Sequence, residues 1–338
     1  MEKKILFGKY NNYYKANMHC HSNLSDGRLS PQELKELYKN NGYSILAITD
    51  HDSIRNHSYL DDEDFLTITS MEITIKERLA FESVDRHMKV CHLNVYALEQ
   101  NNDYNVCYST DYDYYSPKER VEAILKVNGQ DYKREYGAEG INKIIDAANE
   151  KGFLVCYNHP QWSLENYMQY SKYENLWAME IFNTGSMVDG LYEYNISAYD
   201  DFLRMGKKLF PIAADDNHNP KVGSDSFGGY IVINSDALDY SMVMESLKSG
   251  DFYASTGPTI SEVSVEGDVV TVKSSNAKFI AMTTCGRRTN RKLAIETEYI
   301  NEASFKFIED DVYFRITVVD EFGKRANTCA YFVKDLQE

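Results

Sequence analysis

The sequence lacks any apolar stretch long enough to cross a bilayer, and the apolar run near its amino terminus is too short for a secretory signal. It also lacks an excess of positive charge, because 36 Lys and Arg residues stand against 52 Asp and Glu residues and leave a net charge of −16. Such acidity argues against binding to long nucleic acids through their phosphates. We therefore expect a cytoplasmic protein that binds neither membranes nor long nucleic acids.

Paired cysteine motifs are absent as well. None of the six cysteines forms a Cys-x-x-Cys pair, and several lie within apolar runs. With 338 residues and 43% hydrophobic content, the chain can bury a large core without a disulfide framework. We expect reduced, buried thiols, as is usual in the cytoplasm.

Apolar runs typical of strands alternate with helical patterns over the first 258 residues. The predicted helices cover residues 31–41, 137–151 and 192–205. The predicted strands after the opening one cover residues 44–49, 65–75, 90–98, 153–157, 177–182 and 209–214. This alternation predicts an α/β fold with a parallel sheet that closes, or nearly closes, into a barrel.

Two segments depart from this alternation. Residues 99–135 form a tyrosine-rich insertion, which either packs over the barrel surface or acts as a lid or wall that offers aromatic faces to a base or sugar ring. Residues 259–338 contain short β-type runs separated by turns, so we expect a small β-sandwich there. That region contains no histidine, and we do not expect it to contribute to a metal site.

A His-x-His pair follows the first apolar run of the barrel region. If residues 17–21 are extended, His19 and His21 project to the same side of the strand. Two imidazoles held on one rigid face form half of a metal site. Alone, the pair is also compatible with an ordinary strand end.

Further histidines and carboxylates occur at or next to the ends of the other predicted strands. Because the loops after barrel strands converge on one rim, these residues can meet in space. Nine candidate ligands exceed what one ion needs, so we expect two or three divalent ions of zinc, manganese or iron. The candidates are His19, His21, Asp26, His51, Glu72, His92, His159, Asp216 and His218.

Residues outside this set have simpler expected roles. We expect His57 and His87 to be surface residues. Glu180 either supports a ligand or makes a structural hydrogen bond.

The ordered motifs resemble those of the PHP (polymerase and histidinol phosphatase) superfamily, and more narrowly its predicted metal-dependent phosphoesterases. The resemblance covers about residues 15 to 258, and the β-rich tail is similar to a domain appended in some relatives. The motifs that carry it are His19-x-His21 with Ser25-Asp26-Gly27, Thr49-Asp50-His51-Asp52, Glu72, His92, Asn158-His159-Pro160 and Asp216-x-His218.

The resemblance implies a distorted seven-stranded (β/α) barrel over residues 1–258, followed by an accessory β-domain over residues 259–338. It also implies three ion sites. The first would be held by His19, His21, Glu72 and Asp216, the second by Glu72, His92 and His159, and the third by Asp26, His51 and His218. Some family members have histidine where this chain has Asp26, so occupancy of the third site stays open.

These expectations favour hydrolysis of a phosphate ester on a small phosphorylated metabolite or nucleotide, with a metal-bound water as the nucleophile. The sequence contains no Gly-x-Ser-x-Gly elbow, P-loop or dinucleotide fingerprint. Asp52 either orients a ligand or that water, or caps its loop. Arg28, Arg55 and Lys221 are candidate phosphate contacts, or else solvated surface charges.

Two alternatives remain open at this stage. An amidohydrolase also begins with His-x-His on an α/β barrel, but many such enzymes use a bridging modified lysine, and the sequence places no lysine at a suitable strand end. The second alternative is a non-catalytic module that metals stabilise and whose β-domain binds a partner. The sequence does not indicate an oligomeric state.

Overall fold

A computed structural model describes residues 3–78, 87–288, 290–295 and 297–336 of the chain. The fold is mixed α/β. Its helices, in chain order α1 to α8, are Pro31–Asn40, Lys118–Asn128, Ala138–Glu150, Tyr167–Tyr170, Thr184–Val188, Ile196–Arg204, Tyr240–Ser249 and Val333–Leu336. Among these helices of the described residues, none is long and apolar enough to span a membrane.

The strands fall into three sheets. Strands β1 to β10 are Lys4–Phe7, Asn12–Asn17, Ile45–Ala47, Leu66–Ile68, Ser70–Lys76, Val90–Ala97, Phe153–Tyr157, Ala178–Asn183, Phe210–Ala214 and Tyr230–Ser235. Strands β11 to β19 are Phe252–Ser255, Ile260–Glu266, Val269–Ala277, Phe279–Thr284, Asn290–Leu293, Ile300–Lys306, Tyr313–Val319, Arg325–Thr328 and Tyr331–Phe332.

One five-stranded sheet has the order β5-β6-β7-β8-β9. The pairs β7–β8 and β8–β9 are parallel, but β6 runs antiparallel to both β5 and β7. The prediction of a parallel sheet is therefore wrong for β6, because the short connection from Lys76 to Val90 suits an antiparallel return better than a parallel crossover, which usually contains a helix. The reversal places the start of β6 beside the end of β7, where Leu93 pairs with Tyr157.

A second sheet joins the amino-terminal half of the chain to its carboxyl-terminal strands. Its order is β15-β14-β17-β18-β11-β10-β2-β3-β4, with β19 paired to β17. The pairs β2–β3 and β3–β4 are parallel. No strand pair joins β4 to β5 or β9 to β10 in the sheets of the described residues, so the closed seven-stranded barrel stays a prediction.

The third sheet has the order β1-β12-β13-β16 and is entirely antiparallel. Residues 4–7 therefore pair with the carboxyl-terminal strands, although the sequence assigns them to the barrel region. One buried apolar cluster contains Leu34 and Tyr38 from α1 together with Val263 and Phe314 from the carboxyl-terminal strands. The division into domains at residue 258 stays a prediction.

Several elements form where local sequence signals place them. Helix α1 begins after Ser30, whose side chain accepts a hydrogen bond from the Glu33 N–H while the Glu33 carboxylate binds back to the Ser30 N–H. Proline at its first position adds a favourable start. Helix α2 lies inside the 99–135 insertion, which the sequence leaves without a helix.

Candidate metal centre

The His-x-His pair lies just beyond the end of β2. Both His19 and His21 are fully buried, and their Nε2 atoms lie 3.2 Å apart. The chain is held extended here by hydrogen bonds to the loop after β9, from the His21 N–H to the Asn217 carbonyl and from the Asp216 N–H to the His19 carbonyl. The two rings therefore converge on one point, as alternation along an extended segment predicts.

Glu72 lies at the centre of the cluster, as the third residue of β5. Its side chain is about 1% exposed, and both carboxylate oxygens face imidazole nitrogens. The distances from these oxygens are 3.0 Å to His92 Nδ1, 3.2 Å to His51 Nδ1, 3.3 Å to His19 Nε2, 3.3 Å to His159 Nε2 and 3.5 Å to His21 Nε2. A carboxylate with both oxygens among several nitrogens is arranged to bridge two ions.

Asp216 completes the inner part of the cluster. Its Oδ1 lies 3.1 Å from His21 Nε2 and 3.2 Å from His19 Nε2, and its Oδ2 lies 3.7 Å from His159 Nε2. The residue has a φ of +52°, which Asp tolerates better than most residues. That backbone turn aims the carboxylate into the cluster, and such conformations concentrate at functional sites.

Asp26 forms the outer part. Its carboxylate lies 3.4 Å from His51 Nε2, 3.4 Å from His218 Nε2 and 3.5 Å from His21 Nδ1. These four residues offer one ligand atom each within 4.8 Å of one another. All nine sequence-predicted ligands therefore lie in one cluster, with Asp26 and His218 at its more exposed side.

The spacing of these atoms matches ligands that share ions. Two ligands about 2.1 Å from one ion lie roughly 3.0 to 3.4 Å apart for angles of about 90° to 109° at the ion. His19 Nε2 has His21, Glu72 and Asp216 atoms at 3.2, 3.3 and 3.2 Å, yet a single ring N–H can serve only one of them. The donor set of imidazoles and carboxylates therefore fits divalent zinc, manganese or iron.

Charge within the cluster follows from this packing. Burial opposes ionisation of Glu72, but the neighbouring imidazoles of His92, His19 and His159 outweigh it and hold the pKa of the carboxyl well below its usual range. Burial likewise opposes the charged form of His51, yet Asp26 and Glu72 raise its pKa to about 10. The carboxylates are therefore held ionised, which is the state that binds cations.

A layer of hydrogen bonds orients the candidate ligands. Glu180 is fully buried, and its carboxylate accepts from His19 Nδ1 at 2.7 Å and from the His159 N–H at 3.1 Å. The Asn183 amide donates to both Glu180 and Asp216, and the Asn158 amide donates to Glu72 at 2.8 Å. Of the two roles open for Glu180, the contacts favour support of a ligand, because such partners fix the ring that binds the metal.

Two further carboxylates hold the loop that carries Asp216 and His218. Asp215 accepts hydrogen bonds from the N–H groups of residues 227–229, and Asp225 accepts from the N–H groups of His218 and Asn219. The sequence gives Asp215 no distinct role, although it stands next to a candidate ligand. Its partners come from a later turn, so no local signal identifies it.

Asp52 contacts a residue that the sequence leaves unassigned. Its carboxylate accepts from the Thr74 N–H at 2.9 Å and pairs with the buried Arg134 guanidinium, which also donates to the Cys107 carbonyl. Among the described residues, the Asp52 carboxylate makes no hydrogen bond to a ligand histidine. Through its contacts with Arg134 and Thr74, Asp52 links the 99–135 insertion to β5, the strand that carries Glu72.

The predicted phosphate contacts lie in different surroundings. Arg28 is exposed and lines a cavity of about 790 Å³ that opens onto the cluster. Arg55 and Lys221 are not among the described residues that line it. Lys76, the last residue of β5, does line it, although no sequence motif singles this residue out.

The rest of the cavity wall is largely apolar and aromatic. The insertion supplies Tyr114 and Tyr115, and the loop after β7 supplies Trp162 and Leu164. Of the two roles open for the insertion, these tyrosines favour a contribution to the cavity wall. A role of these tyrosines in substrate binding stays a proposal.

One expectation about the remaining histidines is wrong. His57 is about 2% exposed and not a surface residue, because its ring packs beside that of Tyr59, with its Nδ1 3.3 Å from the Tyr59 hydroxyl. Burial, with Arg55 and Arg120 nearby, lowers the pKa of His57 to about 4. His87 is exposed, as expected.

Comparison with solved structures finds several of similar fold. A two-domain protein from Bacteroides vulgatus ATCC 8482 that contains a predicted PHP-like metal-dependent phosphoesterase has a TM-score of 0.46 and 12% identity, over 98% of each chain. The lesion-specific endonuclease EndoQ from Pyrococcus furiosus has a TM-score of 0.40 and 13% identity, over 70% of this chain and 56% of that one. An amidohydrolase from Chromobacterium violaceum, with bound sulfate and no metal, has a TM-score of 0.38 and 12% identity, over 62% of this chain and 89% of that one.

No protein-family model matches the chain, and no curated protein matches it. Since each of these TM-scores lies below 0.5, the case for function rests on the residues of this chain.

Proposed function

We propose that this protein is a metal-dependent phosphoesterase that hydrolyses a phosphate ester of a small metabolite or nucleotide. The observation that carries the proposal is the convergence of nine imidazole and carboxylate side chains around Glu72, at the base of a cavity large enough for a small molecule. A cytoplasmic location and a barrel-type fold are parts of the same proposal.

Three ligand groups, of which the first two share Glu72, support two or three ions. His19, His21, Glu72 and Asp216 would hold one, Glu72, His92 and His159 a second, and Asp26, His51 and His218 a third. When bound, divalent ions at such a cluster neutralise phosphoryl charge and make water a stronger nucleophile. Manganese, zinc and iron all suit this donor set.

The other residues of the site would contact the substrate or orient the metal ligands. Arg28 and Lys76 bring positive charge to the cavity wall, where they would contact phosphoryl oxygens. Glu180 and Asn183 fix the rings and carboxylate of the inner ligands. The mostly apolar wall excludes water from the remainder of the substrate.

A metal-dependent amidohydrolase is the second candidate. Lys76 closes β5 and lines the cavity, so a lysine does lie at a strand end near the cluster. Glu72 already occupies the bridging position, which favours the phosphoesterase. An assay panel that includes amides separates the two.

The test begins with chelator-treated protein reloaded with manganese, zinc or iron. We expect hydrolysis of at least one phosphomonoester or phosphodiester and no hydrolysis of N-acyl amides. His21→Ala should remove this activity, whereas His87→Ala, which changes an exposed histidine outside the cluster, should keep it. A folded, metal-loaded parent that hydrolyses no ester would contradict the proposal, and loss of folding in His21→Ala with an inactive parent would favour a purely structural metal site.

A further inference from the structure

Trp162 presents an indole to the cavity beside two of the candidate ligands. Its ring centroid lies 5.0 Å from the His92 ring and 5.1 Å from the His159 ring. The residue is 41% exposed and lines the cavity. The indole therefore lies where the part of a substrate next to its phosphoryl group would pass.

The backbone that carries this indole is held by one buried carboxylate. Glu193 is fully buried, and its two oxygens accept hydrogen bonds from the Gln161 N–H at 3.0 Å and the Trp162 N–H at 2.9 Å. The Asn195 amide donates to the same carboxylate. An exposed tryptophan on a backbone fixed in this way loses little conformational freedom when a ligand binds.

The walls around Trp162 suit an apolar partner. Side chains of Met88, Val90, Leu164 and Leu191 line the same cavity, and Tyr114 and Tyr115 add two aromatic rings. Its volume of about 790 Å³ falls within the range of small-molecule sites, roughly 300 to 1,000 Å³, and far exceeds the needs of inorganic phosphate. The substrate therefore has a sizeable portion that meets apolar and aromatic walls.

We propose that Trp162 is a specificity-determining residue that stacks against a planar aromatic ring of the substrate, and that Glu193 is its positioning residue. The inference rests on the proposed function, because the metal cluster is taken to receive the phosphoryl group. A planar ring is favoured over a saturated one because indole stacking adds to the benefit of apolar burial.

The kinetic test compares phenyl phosphate, which carries a planar ring, with cyclohexyl phosphate, which carries a saturated one. Because phenol is also the better leaving group, the KM of each ester in the variant is compared with the KM of the same ester in the parent. We expect Trp162→Ala to raise the KM for phenyl phosphate roughly tenfold more than it raises the KM for cyclohexyl phosphate. Trp162→Phe should keep most of the parent's preference for phenyl phosphate, because phenylalanine still offers an aromatic face. Glu193→Gln should raise KM for phenyl phosphate with little change in kcat. Tyr192→Ala is the matched control, because Tyr192 is 70% exposed but is not among the described residues that line the cavity.

A binding measurement gives a readout that does not depend on turnover. The chain has two tryptophans, and Trp177 is about 9% exposed, so a ligand in the cavity should change mainly Trp162 fluorescence. We expect phenylphosphonate to change the fluorescence of the metal-loaded parent but not of Trp162→Phe, and cyclohexylphosphonate to do so only at higher concentration.

The outcomes separate the two proposals. If no ester is hydrolysed but phenylphosphonate still changes Trp162 fluorescence, the ring site stands and the phosphoesterase assignment fails. If both esters are hydrolysed with the same KM, Trp162→Ala changes neither KM, and neither phosphonate alters fluorescence, the ring site is overturned while the phosphoesterase assignment stands.

Discussion

Glu72 and Glu165 are both buried glutamates, but their partners differ in kind. Imidazole nitrogens surround Glu72, whereas the Glu165 carboxylate accepts hydrogen bonds from the hydroxyls of Tyr136, Tyr157 and Tyr173 at 2.6, 2.8 and 2.5 Å. An imidazole offers a lone pair as well as an N–H, so a ring that faces a carboxylate can share an ion with it. The tyrosine hydroxyls satisfy Glu165 without an ion.

The same difference determines how each carboxyl titrates. Burial raises the pKa of Glu165, and the three tyrosine hydrogen bonds only partly offset it. The pKa of Glu72 lies well below its usual range although Glu72 is buried even more deeply than Glu165, because its imidazole neighbours favour the anion. We conclude that burial alone does not mark a functional carboxylate, and that the chemistry of its neighbours does.

The largest expected effect comes from matched Glu→Gln substitutions. Glu72→Gln should lower kcat/KM on the order of 10³-fold, because a bridging anion is replaced by a neutral amide and several kcal/mol of metal-site stabilisation is lost. Glu165→Gln should change kcat/KM little at a temperature where it is fully folded. Steady-state kinetics with saturating manganese checks both expectations. Equal losses of kcat/KM in the two variants would contradict the different roles assigned to Glu72 and Glu165.

An intermediate effect is expected on stability. Glu165→Leu leaves the buried hydroxyls of Tyr157 and Tyr173 without their acceptor, which should lower the free energy of unfolding by about 3 kcal/mol. Denaturant unfolding of metal-free protein measures this change. Glu165→Gln, which keeps an acceptor oxygen, should lose less; a Leu variant as stable as the parent would show that the three hydrogen bonds contribute nothing.

The smallest expected effect is a pH dependence. Because the pKa of Glu165 is raised in the folded state, the folded protein keeps a proton that the unfolded chain has lost once pH exceeds the ordinary glutamate value. The contribution of Glu165 to stability is therefore greatest below about pH 4.3 and falls as pH rises through its folded pKa. The free energy of unfolding of the parent minus that of Glu165→Gln should therefore decrease as pH rises above about 4.3. An increase of this difference with pH would contradict the prediction.

Much of the candidate site can be predicted from the sequence because its ligands follow short apolar runs. His19, His21, His51, His159 and Asp216 each lie next to a strand, and the fold brings strand ends together. His92 lies near the start of β6 and reaches the cluster because β6 runs antiparallel to β7. Glu72 lies within β5, two residues before Thr74, which pairs with His92.

The supporting contacts could not be predicted in the same way. The Asp52–Arg134 pair joins residues 82 positions apart, and Glu193 binds backbone groups about 30 positions before it. Such pairings depend on how the insertion and loops pack, and neither Arg134 nor Glu193 stands in a recognisable motif. The pairing of β1 with β12 has the same origin, since a short strand carries no signal for its partner.

The most direct test of the account is anomalous X-ray scattering from crystals of the manganese- or zinc-loaded protein. We predict two or three ion peaks within bonding distance of the nine predicted ligands, with Glu72 contacting two of the ions. Ions bound elsewhere, or a cluster that remains empty at saturating metal, would contradict the claim that this is a multinuclear metal centre.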